Sequence, residues 1–387
     1  MILPYLGHYI NRMFDKGVAA RMEKFLDPYQ QEFLDKYGVR TDLAIEAHEV
    51  IVEREGPPEL PGVIVKNEET EYASISRVTV ENEVGARLIG KAPGNYSTIE
   101  APGLRSHNRE IHQDLGVLVA KEIQWFIDQH QLGPEASVLV VGLGNWNATP
   151  DALGPKVVGE LMVTRHLLEF SPPELRKGLR PIAAIAPGVL GLTGIETGEI
   201  IRGIVGQIEA KAVICIDALA SRSVSRLCST IQISDTGIHP GSGVGNKRMA
   251  INEETLGIPV FAIGVPTVVH ASTIVSDAMD IISGEDPDQK QRAQELPKKT
   301  TFNLDPQSIM GSPTQAQTSP HQPQPQMNPD QKRQMLAQVL EPYMGSMIVT
   351  PKEIDDLIDD VTNVIAGGLN TAFHEAVDYS EIFQYLS

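Results

Sequence analysis

Val138–Pro155 reads VLVVGLGNWNATPDALGP, and its reading decides the fold. A run of β-branched and apolar residues stops at Gly142, Gly144 and Asn145, and a short polar loop leads to Asp151 ahead of an apolar helical pattern. Ala212–Ser223, AVICIDALASRS, repeats the plan: the last apolar residue of a buried-type strand, Ile216, is followed at once by Asp217. Short apolar runs alternating with helical patterns predict parallel strands, and open parallel sheets bind ligands outside the carboxyl ends of their strands. Asp151 and Asp217 are therefore expected on one rim of one sheet. Two carboxylates placed close share a proton, so that one serves as an acid while the other stays a base. Hydrolysis suits such a pair.

Working outward, strands are expected near Val138–Leu143, Pro181–Ala186, Ala212–Asp217, Ser229–Ser234 and Pro259–Gly264. Helical patterns separate several of them, at Asp151–Glu169, Thr197–Gln207 and Thr267–Ile282. Upstream, Asn11–Tyr37 reads as helix through Met13, Val18, Met22 and Phe25, with Gly38 as its stop. Leu43–Arg54 and Gly62–Gly90 change period. Within them ISRVTVENEV (Ile75–Val84) alternates apolar and polar residues as an exposed-edge antiparallel strand does. Asn108–His130 is an amphipathic helix carrying Ile111, Leu115, Leu118, Val119, Ile123 and Phe126.

From Ser283 to about Asp330 the composition turns to Pro, Gln and Ser with few large apolar residues, too few to offset the entropy of ordering. A helical pattern returns with Ile354, Leu357, Ile358, Val361, Val364 and Ile365. The expected division is a lead, 1–40; an α/β core with an antiparallel region near its start, 41–283; a Pro/Gln-rich disordered insertion, 284–334; and a C-terminal helical segment packed on the core, 335–387.

The 387 residues carry a net charge of −18, which argues against a nucleic-acid surface; Lys247–Arg248 is the one adjacent basic pair near a glycine-rich loop. No apolar run approaches the roughly 18 residues a membrane span needs, and the N-terminus lacks a signal pattern. Two cysteines, Cys215 and Cys228, fit reduced buried thiols, so a cytoplasmic setting is expected.

Other motifs weigh less. Gly142-Leu143-Gly144 lacks the third glycine of a dinucleotide fingerprint, Asn147 standing there, so its glycines are read as permitting a sharp turn beside a site. HPGSGVGNKR (His239–Arg248) is not a phosphate loop, because Asn246 separates Gly245 from Lys247 and Arg248 replaces the magnesium-binding hydroxyl. No zinc spacing exists among 10 histidines, so no metal or other cofactor is expected. His239 and His270 stand as substrate-contacting or structural candidates, with Asn145 beside them. Ser221, Ser223 and Ser225 lack a nucleophile elbow, and Cys228 has no activating neighbour in sequence. The bland reading of Asp151 is a helix cap and of Asp217 a turn; their joint placement favours catalysis. Backbone N–H groups of the Gly142–Asn147 loop are candidate oxyanion donors. The runner-up is a metal-binding protein, or a metal-dependent maturation-type peptidase, with Asp151, Asp217 and His239 or His270 holding a divalent cation. A nucleoside-processing enzyme is a third reading, for which no phosphate cradle is visible.

TDLAIEAHE (Thr41–Glu49), VVGLGNWNATPDALGP, GVLGLTGIETGEIIRGIV (Gly188–Val205), Ile216–Arg248 and GVPTVVHAST (Gly264–Thr273) closely resemble the germination proteases of spore-forming bacteria. The resemblance implies an endopeptidase of the spore core that degrades small acid-soluble, DNA-coating spore proteins. It implies an α/β fold similar to hydrogenase maturation endopeptidases and an unusual aspartic mechanism whose two aspartates fall on Asp151 and Asp217. It also implies a homotetramer made as a self-processing zymogen, with the cut expected near Arg40 and Thr41. The chain departs from that pattern in a longer segment before Thr41 and in the Ser312–Asp330 insertion.

Overall fold

The computed structural model describes residues 41–55, 59–172, 176–240, 248–271 and 347–375, together with Tyr29, Ile274 and Val275. Packing divides the chain into Met1–His270 with Ser346–Ser387, and Ala271–Gly345; every element below belongs to the first unit. The expected helix over Asn11–Tyr37, Tyr29 apart, and the Pro/Gln-rich stretch lie outside the described residues.

Helix α1 (Ala44–Glu55) buries Ala44, Ala47, Val50 and Ile51 along one side. The change of period read over Leu43–Arg54 is therefore a helix whose buried side also carries a glutamate, Glu46. Strands β1 (Val63–Glu69) and β2 (Ser74–Val80) pair antiparallel. The alternation read to Val84 ends at Val80, where the Asn82 side chain accepts the Val84 and Gly85 N–H groups and starts α2 (Glu83–Ile89). Nor is β2 an edge: β3 (Gly94–Glu100) pairs on its other side. Helix α3 (Arg109–Gln129), capped by Asn108, follows the expected span.

Strand β4 (Val138–Gly142) is buried throughout. The helix expected over Asp151–Glu169 is in two parts, α4 (Leu153–Gly159) and α5 (Arg165–Phe170). Between them Thr164 is drawn onto β5 (Ile182–Ile185), its N–H donating to the Ile182 carbonyl at 3.0 Å and its hydroxyl accepting the Ile182 N–H. Helix α6 (Thr197–Ile208) leads to β6 (Ala212–Ser221), a short connection to β7 (Thr230–Ser234), and then β8 (Val260–His270). Two expectations change here. Strand β6 runs on past Asp217, and Thr267–His270, read as a helix start, continues β8. The β-branched Val265, Thr267, Val268 and Val269 suit a strand, and β6 and β9 (Ile348–Val349) pair with that extension. Helix α7 (Ile354–Phe373) closes the described chain.

The strands form one mixed sheet in the order β1-β2-β3-β7-β8-β6-β4-β5, with β9 beside β8. β5, β4, β6 and β8 are parallel; β1, β2, β3 and β7 are antiparallel. β7, read with the parallel set, returns antiparallel because its link to β6 is shorter than the dozen or more residues a parallel crossover takes. One face carries Ile75, Ile99, Ile231, Ile263, Ile214 and Val140 under α3 and α7. On the other, α1 and α2 cover Val78, Val80 and Tyr96, while α6 covers Val141, Val213 and Cys215. Between those two patches this face opens into a cleft. Cys215 and Cys228 are both buried free thiols.

Candidate active site

The cleft has a volume of about 480 Å³, and Asp151 and Asp217 both line it. A tight turn after β4 brings Asp151 there. Gly144 has φ +113, and a side chain on it would strike the Asp151 carbonyl. The Asn145 N–H donates to that same carbonyl at 2.9 Å, and the Thr267 hydroxyl holds the Pro150 carbonyl at 2.7 Å. Gly154 lets α4 start directly on the strand ends: a Cβ there would lie 2.3 Å from the Leu143 oxygen and 2.5 Å from that of Ile216. Asp151 closes a one-turn 3-10 helix, and Ala152, not Asp151, is the cap residue of α4. The capping role is thus not the one this carboxylate fills.

Asp217 lies one residue beyond the last rung between β6 and β4, Gly142 with Ile216, yet inside the ladder with β8, where it pairs with Gly264. It stands on the rim relative to β4 and on the cleft floor relative to β8. Only 6% of it is exposed, and the Ala218 N–H donates to its carboxylate at 2.9 Å. Burial lifts its carboxyl well above the ordinary range; the negative charges of Asp151 and Asp42 add to this, and the Ala218 N–H opposes it. Burial also raises Asp151, to about 6, against the pull of the Asn145 N–H. Asp151 ionises first, so Asp217 feels its charge.

The other candidates divide. His239 lines the cleft. Asn145 shapes the loop, its side chain accepting the Asn147 N–H at 3.0 Å, and His270 ends β8 opposite Ile348, outside the cleft lining. Within the loop, the Leu143, Asn145 and Asn147 N–H groups donate to the Ile216 carbonyl, the Asp151 carbonyl and the Asn145 side chain, while Gly144 lines the cleft. The Ser221 hydroxyl donates to the Ser223 carbonyl, and burial pushes the Cys228 thiol up to about 11, away from thiolate. Among the described residues no three His, Cys, Asp or Glu side chains gather as a metal site requires, and no helix is long and apolar enough to cross a membrane.

Asp42, Lys91 and Gln232 also line the cleft, and the sequence reading gave none of them a part in the site. The Asp42 N–H donates to the Ala220 carbonyl at 3.2 Å, and its carboxylate accepts the Ala220 N–H at 3.0 Å. Gln232 shares the sheet row of Asp217 through Gly264. Nothing in the separate stretches around residues 42, 91 and 232 announces this meeting, which only strand register creates.

Residues 44–386 match the family model described as germination protease. The chain belongs to the germination protease family. It is 45% identical over 366 residues to the germination protease of Bacillus cereus strain AH187, covering 91% of this chain and 98% of that protein. The germination protease of Bacillus mycoides strain KBAB4 is equally similar over the same shares, and that of Bacillus anthracis strain A0248 is 46% identical over 367 residues. Among solved structures, the [NiFe] hydrogenase maturation protease HycI of Thermococcus kodakarensis KOD1 aligns with 37% of this chain and 80% of its own at 16% identity and a TM-score of 0.23. Membership in the germination protease family makes this chain a peptidase of spore germination.

Proposed function

We propose that the chain is an endopeptidase of aspartic type in which Asp151 is the base and Asp217 the acid. The observation that carries this is the pair itself: two carboxylates on one cleft, both held above the ordinary range, with the charge of one acting on the other. Ionised Asp151 takes a proton from water as the water oxygen bonds to the peptide carbonyl carbon. Protonated Asp217 gives its proton to the departing nitrogen as the carbon–nitrogen bond breaks. One water is consumed, and one acid and one amine are released. Proton exchange with solvent then resets the pair.

Small acid-soluble, DNA-coating spore proteins are the proposed substrates, in the spore core, for a homotetramer that begins as a zymogen. Family membership supports that reading. So does the seating of Thr41–Leu43, where Asp42 bonds to β6 and its charge reaches Asp217. Self-cleavage is proposed close to Arg40 and Thr41.

The experiment is cleavage of a purified small acid-soluble spore protein by Asp151→Asn and Asp217→Asn variants. Each retains shape and loses the titrating oxygen, so each is expected to lower the rate by at least ~10³-fold with the fold intact. Near-normal cleavage by either would remove the dyad. Ser221→Ala and Cys228→Ala are expected to cleave at close to the unmutated rate.

A further inference from the structure

We propose that Lys91 and Gln232 are the carbonyl-binding groups of this peptidase, holding the oxygen that becomes negative during the reaction; the inference rests on the dyad reading above. The Asp42 carbonyl accepts from two donors at once, Lys91 Nζ at 3.0 Å and Gln232 Nε2 at 3.1 Å. The orientation of the Gln232 amide is fixed, because its oxygen accepts the Ala44 N–H at 2.7 Å and leaves the nitrogen for the carbonyl. Lys91 Nζ also reaches the Thr41 carbonyl at 3.0 Å. A charged ammonium and an amide converging on one peptide oxygen at about 3 Å is the donor geometry that stabilises an oxyanion.

The sheet explains why these donors stand beside the carboxylates. Gln232 on β7, Gly264 on β8 and Asp217 on β6 are register partners, so all three belong to one face of the sheet, with Gln232 and Asp217 about 10 Å apart at the backbone. Gly264 contributes no side chain, and Leu219 leans over it to give an apolar floor. Thr41–Ala44 crosses this floor, bonded to Ala220 on one side and to Gln232 on the other. It lies as a bound polypeptide would, with the Asp42–Leu43 peptide carbonyl in the clamp.

During the reaction the water oxygen bonds to that carbonyl carbon, its proton passes to Asp151, and the carbonyl π electrons move onto the oxygen held by Lys91 and Gln232. Those electrons return as the carbon–nitrogen bond breaks, and the nitrogen takes the proton of Asp217. This assigns to two side chains a role that the Leu143, Asn145 and Asn147 N–H groups, engaged within the Gly142–Asn147 loop and its neighbours, do not fill.

The test uses the full chain and a synthetic peptide of residues 37–50, YGVRTDLAIEAHEV, with Asp217→Asn in parallel. Lys91→Met and Gln232→Met are each expected to lower kcat by roughly 10²-fold while KM changes by only a few fold, because the clamp tightens as charge develops. Gln232→Glu, which keeps the acceptor for Ala44 but loses the donor, should fall equally. Lys91→Arg, which keeps a charged donor and guards against misfolding in the Met variant, should retain most of the rate. Unchanged kcat in Lys91→Met and Gln232→Met beside an inactive Asp217→Asn overturns the clamp and leaves the dyad standing. A rise in KM alone also overturns it, by showing a ground-state grip. Activity in Asp217→Asn, or no turnover by the unmutated chain once its own residues before Leu43 have been released, removes the dyad reading and the clamp with it.

Discussion

Burial raises the Asp151 carboxyl to about 6 and lifts Asp217 further, and for a carboxyl that direction carries a sign for stability. The folded state holds these protons more tightly than the unfolded chain does. Below the unfolded value near 4 neither group costs anything; as pH rises from there to the folded value, stability falls and then levels off. Asp151→Asn removes that cost, so the variant is expected to be more stable at pH 7 by up to about 2 kcal/mol, with the gain gone at pH 4. Thermal melts at the two pH values read this directly; equal melting at pH 7 would show that the carboxyl is not strained by its burial. On the proposed mechanism the same pair sets the pH profile of hydrolysis. The rate should rise as pH passes about 6, when Asp151 becomes a base, and fall again when Asp217 loses its proton.

At the scale of elements, the parallel strands were legible because each is a short apolar run, buried end to end in β4 and nearly so in β6. Helix α1 was not. Glu46, 1% exposed, sits on its buried side and breaks the apolar period, for a reason only the fold supplies: Glu46 accepts the Arg222 and Ser223 N–H groups and lies 3.3 Å from Arg226. Arg226 also bonds Glu49 on α1 and Glu100 on β3, tying the helix to the strands. Arg226→Met leaves Glu46 charged and buried without its cation, and is expected to cost about 3 kcal/mol in chemical denaturation; a loss under about 1 kcal/mol would mean that Glu46 has water or another partner. The extension of β8 was hidden by Pro266, which donates no hydrogen bond and reads as a break, though its carbonyl accepts the Cys228 N–H at 2.7 Å. Of the site, Asp151 and Asp217 were legible as residues that end apolar runs. Asp42, Lys91 and Gln232 were not, since pairing across β6, β8 and β7 leaves no local mark. Gly154 shows how the elements hold the carboxylates: Gly154→Ala drives a methyl into two strand-end carbonyls, and should cost about 3 kcal/mol and displace Asp151. Crystal structures of that variant would show α4 shifted; an unmoved α4 at full activity would mean that this packing does not position the site.

On the scale of the whole molecule, Asp42 and its neighbours lie against the cleft. Thr41 and Asp42 present their carbonyls to Lys91, the Asp42 N–H and carboxylate both meet Ala220, and the Asp42 charge acts on Asp217. On the proposed zymogen reading, a segment seated in this way takes space a substrate needs and restrains the peptidase until it is cut or leaves. The carboxylates that would cut it are poised by pH. From about pH 6 upward Asp151 is ionised while Asp217 keeps its proton, the state in which one acid and one base coexist. Incubation between about pH 6 and 7 is therefore expected to release the residues before Leu43 in the unmutated chain and to leave an Asp151→Asn control whole, with N-terminal sequencing and intact mass as the measurements. A cut at any peptide bond other than Asp42–Leu43 would move it off the carbonyl that Lys91 and Gln232 hold. An equal cut in the control would assign the processing to another protease. A chain that stays intact while fully active would mean that the seated segment does not restrain it.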